Sequence, residues 1–303
     1  MKSTVGFIGL GAMGNRMVTH LADSGNLVVY DTDVSRTRDV AEKVGGKAAA
    51  SLNDFSAATT VILMLPTSQI VNTVVRGASG QPGLFDLLHA GATIIDMSSS
   101  EPIESVENAR LAKIKRLTFL DAPVSGGVIG AESAKLAIMA GGSDAEFATV
   151  RDLLGKMGAK IVHAGPVGSG HAIKALNNLL AATTFAATAE VFAIGAKFGL
   201  DPKVMLSVID ASSGFNFHTR MVWQKAVIER GFDFGFAMQL MDKDVRVAQS
   251  LIKAIDAKPA VSNAASAVWA QALAAAPDGA DMTLLAKQIE EATGVQHDQA
   301  PRT

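Results

Sequence analysis

Val5-Gly6-Phe7-Ile8-Gly9-Leu10-Gly11-Ala12-Met13-Gly14 decides how the first half of the chain folds. An apolar, strand-like run leads into Gly-x-Gly-x-x-Gly, and a helical window, Met13–Ser24, follows. In such a turn Gly9 permits the sharp reversal. Gly11 lets the backbone approach a pyrophosphate with no Cβ in the way, and Gly14 lets the helix pack on the strand. The N–H groups at the helix start then face the anion. The same backbone makes Leu10, Ala12 and Met13 part of the expected contact. Six residues alone are a weak signal, but their place at the head of a strand-turn-helix unit strengthens it. The next apolar run ends at Asp31, where a carboxylate would accept hydrogen bonds from the adenosine ribose and repel a 2′-phosphate. The pattern therefore predicts a dinucleotide site with NAD favoured. NADP stays possible, because Arg36 and Arg38 stand close enough to hold a phosphate.

Outward from this turn, short apolar runs alternate with helical windows. Thr4–Ile8, Leu27–Asp31, Val61–Leu65, Thr93–Met97, Thr118–Ala122 and Lys160–His163 read as strands, with Leu136–Ala140 as a further candidate. They are apolar on both faces, as a sheet covered on two sides requires. Helical windows such as Val34–Val44, Pro102–Lys115 and Ala145–Met157 lie between them, which predicts a parallel sheet with crossover helices. After Gly165-Pro166 the strands stop. Ala-rich helical windows follow at Gly170–Phe198, Pro202–Ala211, Met221–Arg230, Met238–Ile255, Ala260–Ala276 and Met282–Thr293. The expected organisation is a dinucleotide-binding domain over 1–165, an all-helical substrate and oligomerisation domain over 166–295, and a flexible tail over 296–303.

The first of those helices is apolar almost all round, so it must be buried on most sides. A domain of this size can hardly cover it alone, and a second subunit is expected to pack on it. Leu179–Ala196 is long enough to suggest a membrane span, but Glu190 and its Thr and Ala residues make it a poor one. A buried helix is the expectation.

Composition narrows the functional classes. The chain has 303 residues, of which 49% are apolar and 18% charged, so most of it should fold. Twenty-seven basic and 29 acidic side chains leave a net charge of -2. No global basic field exists to bind nucleic acid or an anionic membrane. Met1-Lys2-Ser3-Thr4 runs straight into a strand, with no long signal-like apolar region. Cysteine is absent, which removes thiolate nucleophiles and disulfides and accords with a cytoplasmic protein. The six His residues show no metal-ligand spacing, so no metal is expected.

Several short stretches carry polar groups suited to chemistry. Leu65-Pro66-Thr67 and Ser98-Ser99-Ser100 follow strands, where ligands of an open parallel sheet bind. Ser125-Gly126-Gly127 exposes backbone N–H groups beside a hydroxyl, a combination that suits a carboxylate and equally an ordinary turn. Lys174 and Asn178 share a helix face within an apolar helix. Lys174 reads either as a long surface side chain or as a partly desolvated general acid/base. His171 and His218 could line the same region. Met241-Asp242-Lys243-Asp244, taken by its pattern, reads as a solvated face.

Four blocks in order resemble the 3-hydroxyisobutyrate dehydrogenase family of β-hydroxyacid dehydrogenases, relatives of 6-phosphogluconate dehydrogenase. They are Phe7 to Gly14, Asp121 to Gly127, Gly168-x-Gly170-x3-Lys174-x2-Asn177-Asn178, and Lys243-Asp244. The resemblance runs from Val5 to about Thr293. It implies a Rossmann-type α/β domain with a parallel sheet, followed by an all-α domain entered by a long interdomain helix. It also implies NAD(P)-dependent, reversible hydride transfer to or from a small 3-hydroxy acid.

By the same resemblance Lys174 would be the general acid/base, and Asn178, or less readily Asn177, would orient the substrate. Ser125, Gly126 and Gly127 would bind its carboxylate. Leu65, Pro66 and Ser98 would touch the cofactor, with Lys243 reaching its nicotinamide side and Asp244 supporting it. A homodimer or homotetramer would form on the long helix. Ser212 to His218 departs from the family pattern: Phe215, Phe217 and His218 would make a bulkier lining over the substrate. The exact acid thus stays open, and a reductase of small aldehyde-acids or a non-catalytic NAD(P)-binding sensor are the alternatives.

Overall fold

The computed structural model describes residues 3–295; the expected tail over 296–303 lies outside the described residues. Two compact units, Met1–Lys174 and Ala175–Thr303, divide the chain. The division falls inside one helix, Ser169–Phe198.

The first unit is built on a sheet. Its strands are β1 (Thr4–Ile8), β2 (Asn26–Tyr30), β3 (Lys47–Ala48), β4 (Thr60–Leu63), β5 (Gly77–Ala78), β6 (Gln81–Pro82), β7 (Thr93–Asp96), β8 (Thr118–Asp121), β9 (Val124–Ser125), β10 (Leu136–Gly141) and β11 (Gly158–Gly165). The main sheet runs β11-β10-β8-β7-β4-β1-β2-β3, while β5 and β6 form a separate hairpin. From β3 to β8 every neighbouring pair is parallel. The parallel sheet expected from the strand-helix alternation is therefore present, but it ends at β8.

β10 lies antiparallel to β8, with Gly141 opposite Asp121, and β11 is parallel to β10. The reversal has a local cause. After β8 the chain makes β9 and a six-residue helix, Gly127–Glu132, instead of a long crossover helix, and β9 pairs antiparallel with β10.

Both faces of the sheet are covered, as the apolar strands require. Phe7, Val29, Ile62, Ile95 and Leu120 point into one core, and Ile8, Val28, Val61, Ile94 and Phe119 into the other. Each such side chain contributes roughly 1.5–3 kcal/mol by burial. The alternation places the exits of β1, β4, β7 and β8 side by side at one edge of the sheet.

The second unit is helical: the remainder of Ser169–Phe198, then Pro202–Asp210, Thr219–Ile228, Met238–Ala254, Ala260–Ala275 and Leu284–Thr293. Thr219–Ile228 is wound as a π-helix rather than the α-helix expected over Met221–Arg230. Its core gathers Phe185, Phe192, Trp223 and Trp269, whose rings lie 4.9–5.8 Å apart. Trp269 Nε1 donates to the carbonyl of Ala182 at 2.9 Å, so its one polar atom is satisfied.

By length and composition Ser169–Phe198 could cross a membrane, and half of its most apolar window is buried within the chain. The other side carries an exposed apolar stripe: Ile173, Leu176, Leu180, Val191, Ile194 and Phe198. Phe198 is 84% exposed. The all-round apolar character read from the sequence thus resolves into one buried and one uncovered side.

Candidate active site

The glycine turn after β1 forms as its sequence demands. A Cβ on Gly14 would lie 1.9 Å from the Gly9 carbonyl oxygen, and one on Gly9 would lie 2.2 Å from the Met64 oxygen. Both glycines are thus required by the protein's own packing. Gly11 is different: a Cβ there meets no atom within 4 Å. That open approach fits a pyrophosphate lying against the backbone of Leu10, Ala12 and Met13. The helix that follows is shorter than the window read from sequence, an α-turn over Gly14–Met17 continuing as a 3-10 turn over Val18–Leu21.

Asp31 stands just beyond β2. The Leu10 N–H donates to its Oδ2 at 2.7 Å and the Asp33 N–H to its Oδ1 at 2.9 Å. Burial pushes its carboxyl up, but these two backbone donors and the Arg36 guanidinium, 3.4 Å away, outweigh that and hold it below the ordinary aspartate value. The group is an anion at neutral pH, tied to the turn it follows in the sheet. Arg36 is itself held by Asp33 at 3.1 Å.

The exits of β4 and β7 are joined by a serine. The Leu65 N–H donates to Ser98 Oγ at 2.9 Å, and the Ser98 N–H donates to Asp96 Oδ1 at 3.0 Å. Ser98 is completely buried, and Ser100 is buried on Asp96 Oδ2 at 2.7 Å. Of the serine run only Ser99 is partly exposed, and Pro66 is exposed beside Leu65.

Beyond β8, Ser125 is partly exposed and Gly126 and Gly127 are exposed. Their φ angles, +129° and +61°, lie where side chains are rarely tolerated, so the turn needs this pair of glycines.

The block from Gly168 to Asn178 opens the long helix. Lys174 is partly buried, one turn beyond His171. His171 does not line an opening: its side chain is fully buried. His171 Nε2 donates to the Ser98 carbonyl at 3.0 Å, and Nδ1 meets Ser105 Oγ at 2.6 Å. A carbonyl only accepts, so Nε2 carries the proton of its bond.

Sequence reasoning missed the role of Asp121 in this arrangement. Its Oδ1 accepts the Gly168 N–H and its Oδ2 the His171 N–H, each at 2.7 Å, in a wholly buried setting. A Cβ on Gly141 would lie 2.2 Å from Asp121 Oδ1, and one on Gly170 would lie 2.9 Å from Oδ2. The two glycines leave room for this carboxylate. Only the Asp and the glycines were visible in the sequence; their pairing across nearly fifty residues was not.

In the helical unit Asn178 is buried and donates to Asp244 Oδ2 at 2.5 Å, while the Asn177 amide donates to Asn178 Oδ1 at 3.1 Å. Lys243 Nζ lies 3.5 Å from Asp244 Oδ1. The solvated face read from the pattern of 241–244 is therefore wrong. Met241, Asp242 and Asp244 are buried, with Asp242 paired to Arg246 at 2.9 Å. Asn177, in contrast, is exposed.

His218 also turns inward. It is 2% exposed, its Nε2 donates to the Ala181 carbonyl at 2.8 Å, and its ring meets Phe185 edge-on. Burial pushes its pKa down, partly offset by the Ala181 bond, so it is neutral at physiological pH. Phe215 and Phe217 are about half exposed, and the Arg220 guanidinium lies 3.8 Å over the Phe215 ring.

The chain matches known proteins along most of its length. Residues 4–165 match the NAD binding domain of 6-phosphogluconate dehydrogenase. Residues 168–289 match the NAD-binding family of NADP-dependent 3-hydroxyisobutyrate dehydrogenase. A 2-(hydroxymethyl)glutarate dehydrogenase of Eubacterium barkeri is 36% identical over 293 residues, 96% of each chain. The 3-hydroxyisobutyrate dehydrogenase of Pseudomonas aeruginosa is 36% identical over 260 residues, covering 84% of this chain and 86% of that one. The solved structure of Mycobacterium tuberculosis 3-hydroxyisobutyrate dehydrogenase with L-serine superposes with a TM-score of 0.85 at 29% identity, covering 95% of this chain and 99% of that one. With the glycine turn, Asp31 and the Lys174–Asn178 block in their expected order, the chain is an NAD(P)-dependent oxidoreductase and belongs to the 3-hydroxyisobutyrate dehydrogenase family of β-hydroxyacid dehydrogenases.

Proposed function

We propose that this dehydrogenase interconverts a small 3-hydroxy acid and its semialdehyde, with Lys174 as the general acid/base and Asn178 as the group that orients the substrate hydroxyl. The observation that carries this reading is the fixed amide one turn beyond Lys174. Asn178 is locked by Asp244, so its orientation is set before substrate arrives. One amide N–H serves Asp244, and we assign the second to the substrate oxygen. Lys174, on the same helix face, takes the hydroxyl proton in oxidation and returns it in reduction. The substrate carboxylate is assigned to Ser125, Gly126 and Gly127, a partly exposed turn whose two glycines take positive φ angles.

When bound, the nicotinamide supplies the hydride chemistry. Gly9, Leu10, Gly11, Ala12, Met13 and Gly14 would hold its pyrophosphate, and Asp31 its adenosine ribose. Leu65, Pro66 and Ser99 are assigned to the cofactor edge, with Ser98 as the buried tie beneath them. Lys243 is assigned to the nicotinamide side. NAD is the favoured cofactor, because the ionised Asp31 repels a 2′-phosphate and Arg36 is already engaged by Asp31 and Asp33.

The proposed partner, besides the acid, is a second copy of this chain. The stripe from Ile173 to Phe198 is apolar and exposed along a helix of 30 residues, about 45 Å long. A homodimer or homotetramer would cover it, in a cytoplasmic setting. Sedimentation as a monomer would remove this part.

Two experiments test the function. A panel of 3-hydroxyisobutyrate, L-serine and 2-(hydroxymethyl)glutarate, with NAD and NADP side by side, should reveal turnover with one acid at least and a preference for NAD. Lys174→Ala should lower kcat by at least roughly 10²-fold while leaving NAD affinity within about twofold. Unchanged turnover in that variant would remove Lys174 from the mechanism.

A further inference from the structure

We propose that Asp121 and His171 are positioning residues which seat the first turn of the long helix, and with it Lys174, against the loops that follow β4, β7 and β8. The inference rests on the reading of Lys174 as general acid/base and concerns how that amine is held in place.

Three loops expected to meet cofactor or substrate are tied to one helical turn. The Leu65 N–H donates to Ser98 Oγ, which joins the β4 exit to the β7 exit. The Ser98 carbonyl accepts from His171 Nε2, which joins the β7 exit to the helix. Asp121, four residues before Ser125, accepts the N–H groups of Gly168 and His171, which joins the β8 exit to the same turn. Ser105 closes the set on His171 Nδ1 and is itself 1% exposed.

Gly170 makes the seat possible. A Cβ there would lie 2.1 Å from the Met139 carbonyl oxygen and 2.9 Å from Asp121. The turn can approach the sheet this closely only without a side chain. A helix start normally leaves its first N–H groups for water or a ligand. Here the protein's own buried carboxylate takes two of them, so the turn serves as an anchor.

Lys174 lies one turn beyond His171 and is the last residue of the sheet-containing unit. Its backbone position is therefore set by this anchor. A displacement of about 1 Å at a reacting group can cost on the order of 10²-fold in rate. His171 and Asp121 act through Lys174 and do not themselves touch substrate.

The test uses the full-length enzyme and three substitutions. His171→Leu keeps the volume and removes the donor to Ser98. It should lower kcat about 10- to 100-fold and leave KM for NAD within about twofold. Amide exchange over residues 168–174 should be at least about tenfold faster. His171→Gln retains an amide donor for the Ser98 carbonyl and should recover kcat to within about fivefold of the wild type. Ser105→Ala removes one hydroxyl and should cost only a few-fold.

A kcat within twofold of the wild type in His171→Leu overturns the proposal, whatever the exchange rates do. Equal losses in the Leu and Gln variants also overturn it, since a purely steric role would act that way. If His171→Leu does not fold, Ser105→Ala decides: a few-fold loss in kcat with faster exchange over 168–174 supports the seat, and no change in either overturns it. A wild-type enzyme inactive on every acid offered would instead defeat the reading of function. Exchange over 168–174 in the variants then decides the anchor alone, faster exchange upholding it and unchanged exchange ending it.

Discussion

Two Gly-x-Gly turns open helices in this chain, one at Gly9-Leu10-Gly11 and one at Gly168-Ser169-Gly170, and they are built for opposite ends. Each brings a helix start against a parallel strand, and each contains a glycine whose Cβ would strike a backbone oxygen at about 2 Å, Met64 for Gly9 and Met139 for Gly170. The difference lies in the N–H groups. In the first turn Gly11 faces open space, and Asp31 takes a single N–H of the turn, that of Leu10. In the second turn Asp121 takes two N–H groups from inside the protein. On the proposed reading, the first turn would offer its backbone to an anionic ligand, and the second would hold Lys174 in place. The same sequence pattern therefore carries no fixed meaning; the neighbouring carboxylate decides it.

Removing that carboxylate is the strongest way to break the contrast. Asp121→Ala leaves two buried N–H groups without a partner, and it should cost about 4 kcal/mol of stability. Chemical denaturation would read this as a lower midpoint at unchanged slope. A loss below about 1 kcal/mol would mean that water replaces the carboxylate and that the second turn is open after all.

Glycine substitutions sharpen the contrast. Gly14→Ala and Gly170→Ala each force a methyl group onto a backbone oxygen, and each should destabilise by about 2 kcal/mol. Gly11→Ala meets nothing in the protein, so its stability should stay within about 0.5 kcal/mol of the wild type. Its affinity for NAD should fall at least about tenfold. Calorimetry on the three variants, with and without NAD, checks both halves. Equal NAD affinity in Gly11→Ala and the wild type would contradict the pyrophosphate assignment.

A smaller effect distinguishes the tie of the first turn. Asp31 is held below its ordinary value, so the unfolded state binds more protons between the two values and stability rises with pH there. Its contribution is present in full above the ordinary aspartate range, near pH 4, and is lost as pH falls through the lower folded value. Asp31→Asn should flatten this part of the stability-pH curve. His218 supplies a control far from either turn in sequence. Burial lowers its value, so protonation on acidification penalises the fold as pH drops below about 6.5. His218→Phe should remove that dependence and leave the Asp31 dependence in place.

The contrast also marks what the sequence could tell. Strand-helix alternation and the first glycine turn were legible because they depend on neighbours close in the chain, and β1, β7, β8 and Val34–Val44 form nearly where the pattern puts them. The direction of β10 was not legible, since an apolar run reads the same whichever way the strand lies in its sheet. The helix Ser68–Arg76 escaped because its Val and Thr residues favour strands, while its cap, Thr67 Oγ1 accepting from the Ile70 N–H, is a local detail. The Lys174–Asn178 block was visible as spacing, but the locked amide of Asn178 depends on Asp244, sixty-six residues away. Ser98 turned out to be a buried tie and His171 an anchor for the same reason: their partners lie at other strand ends.

Amide hydrogen exchange followed residue by residue during titration with NAD tests the contrast between the turns most directly. Protection should grow over residues 10–14 as the dinucleotide binds, while the amides of Gly168 and His171 should already be slow without it and change little. Fast exchange at Gly168 and His171 that slows only on adding NAD, with residues 10–14 unaffected, would reverse the roles of the two turns and contradict the account.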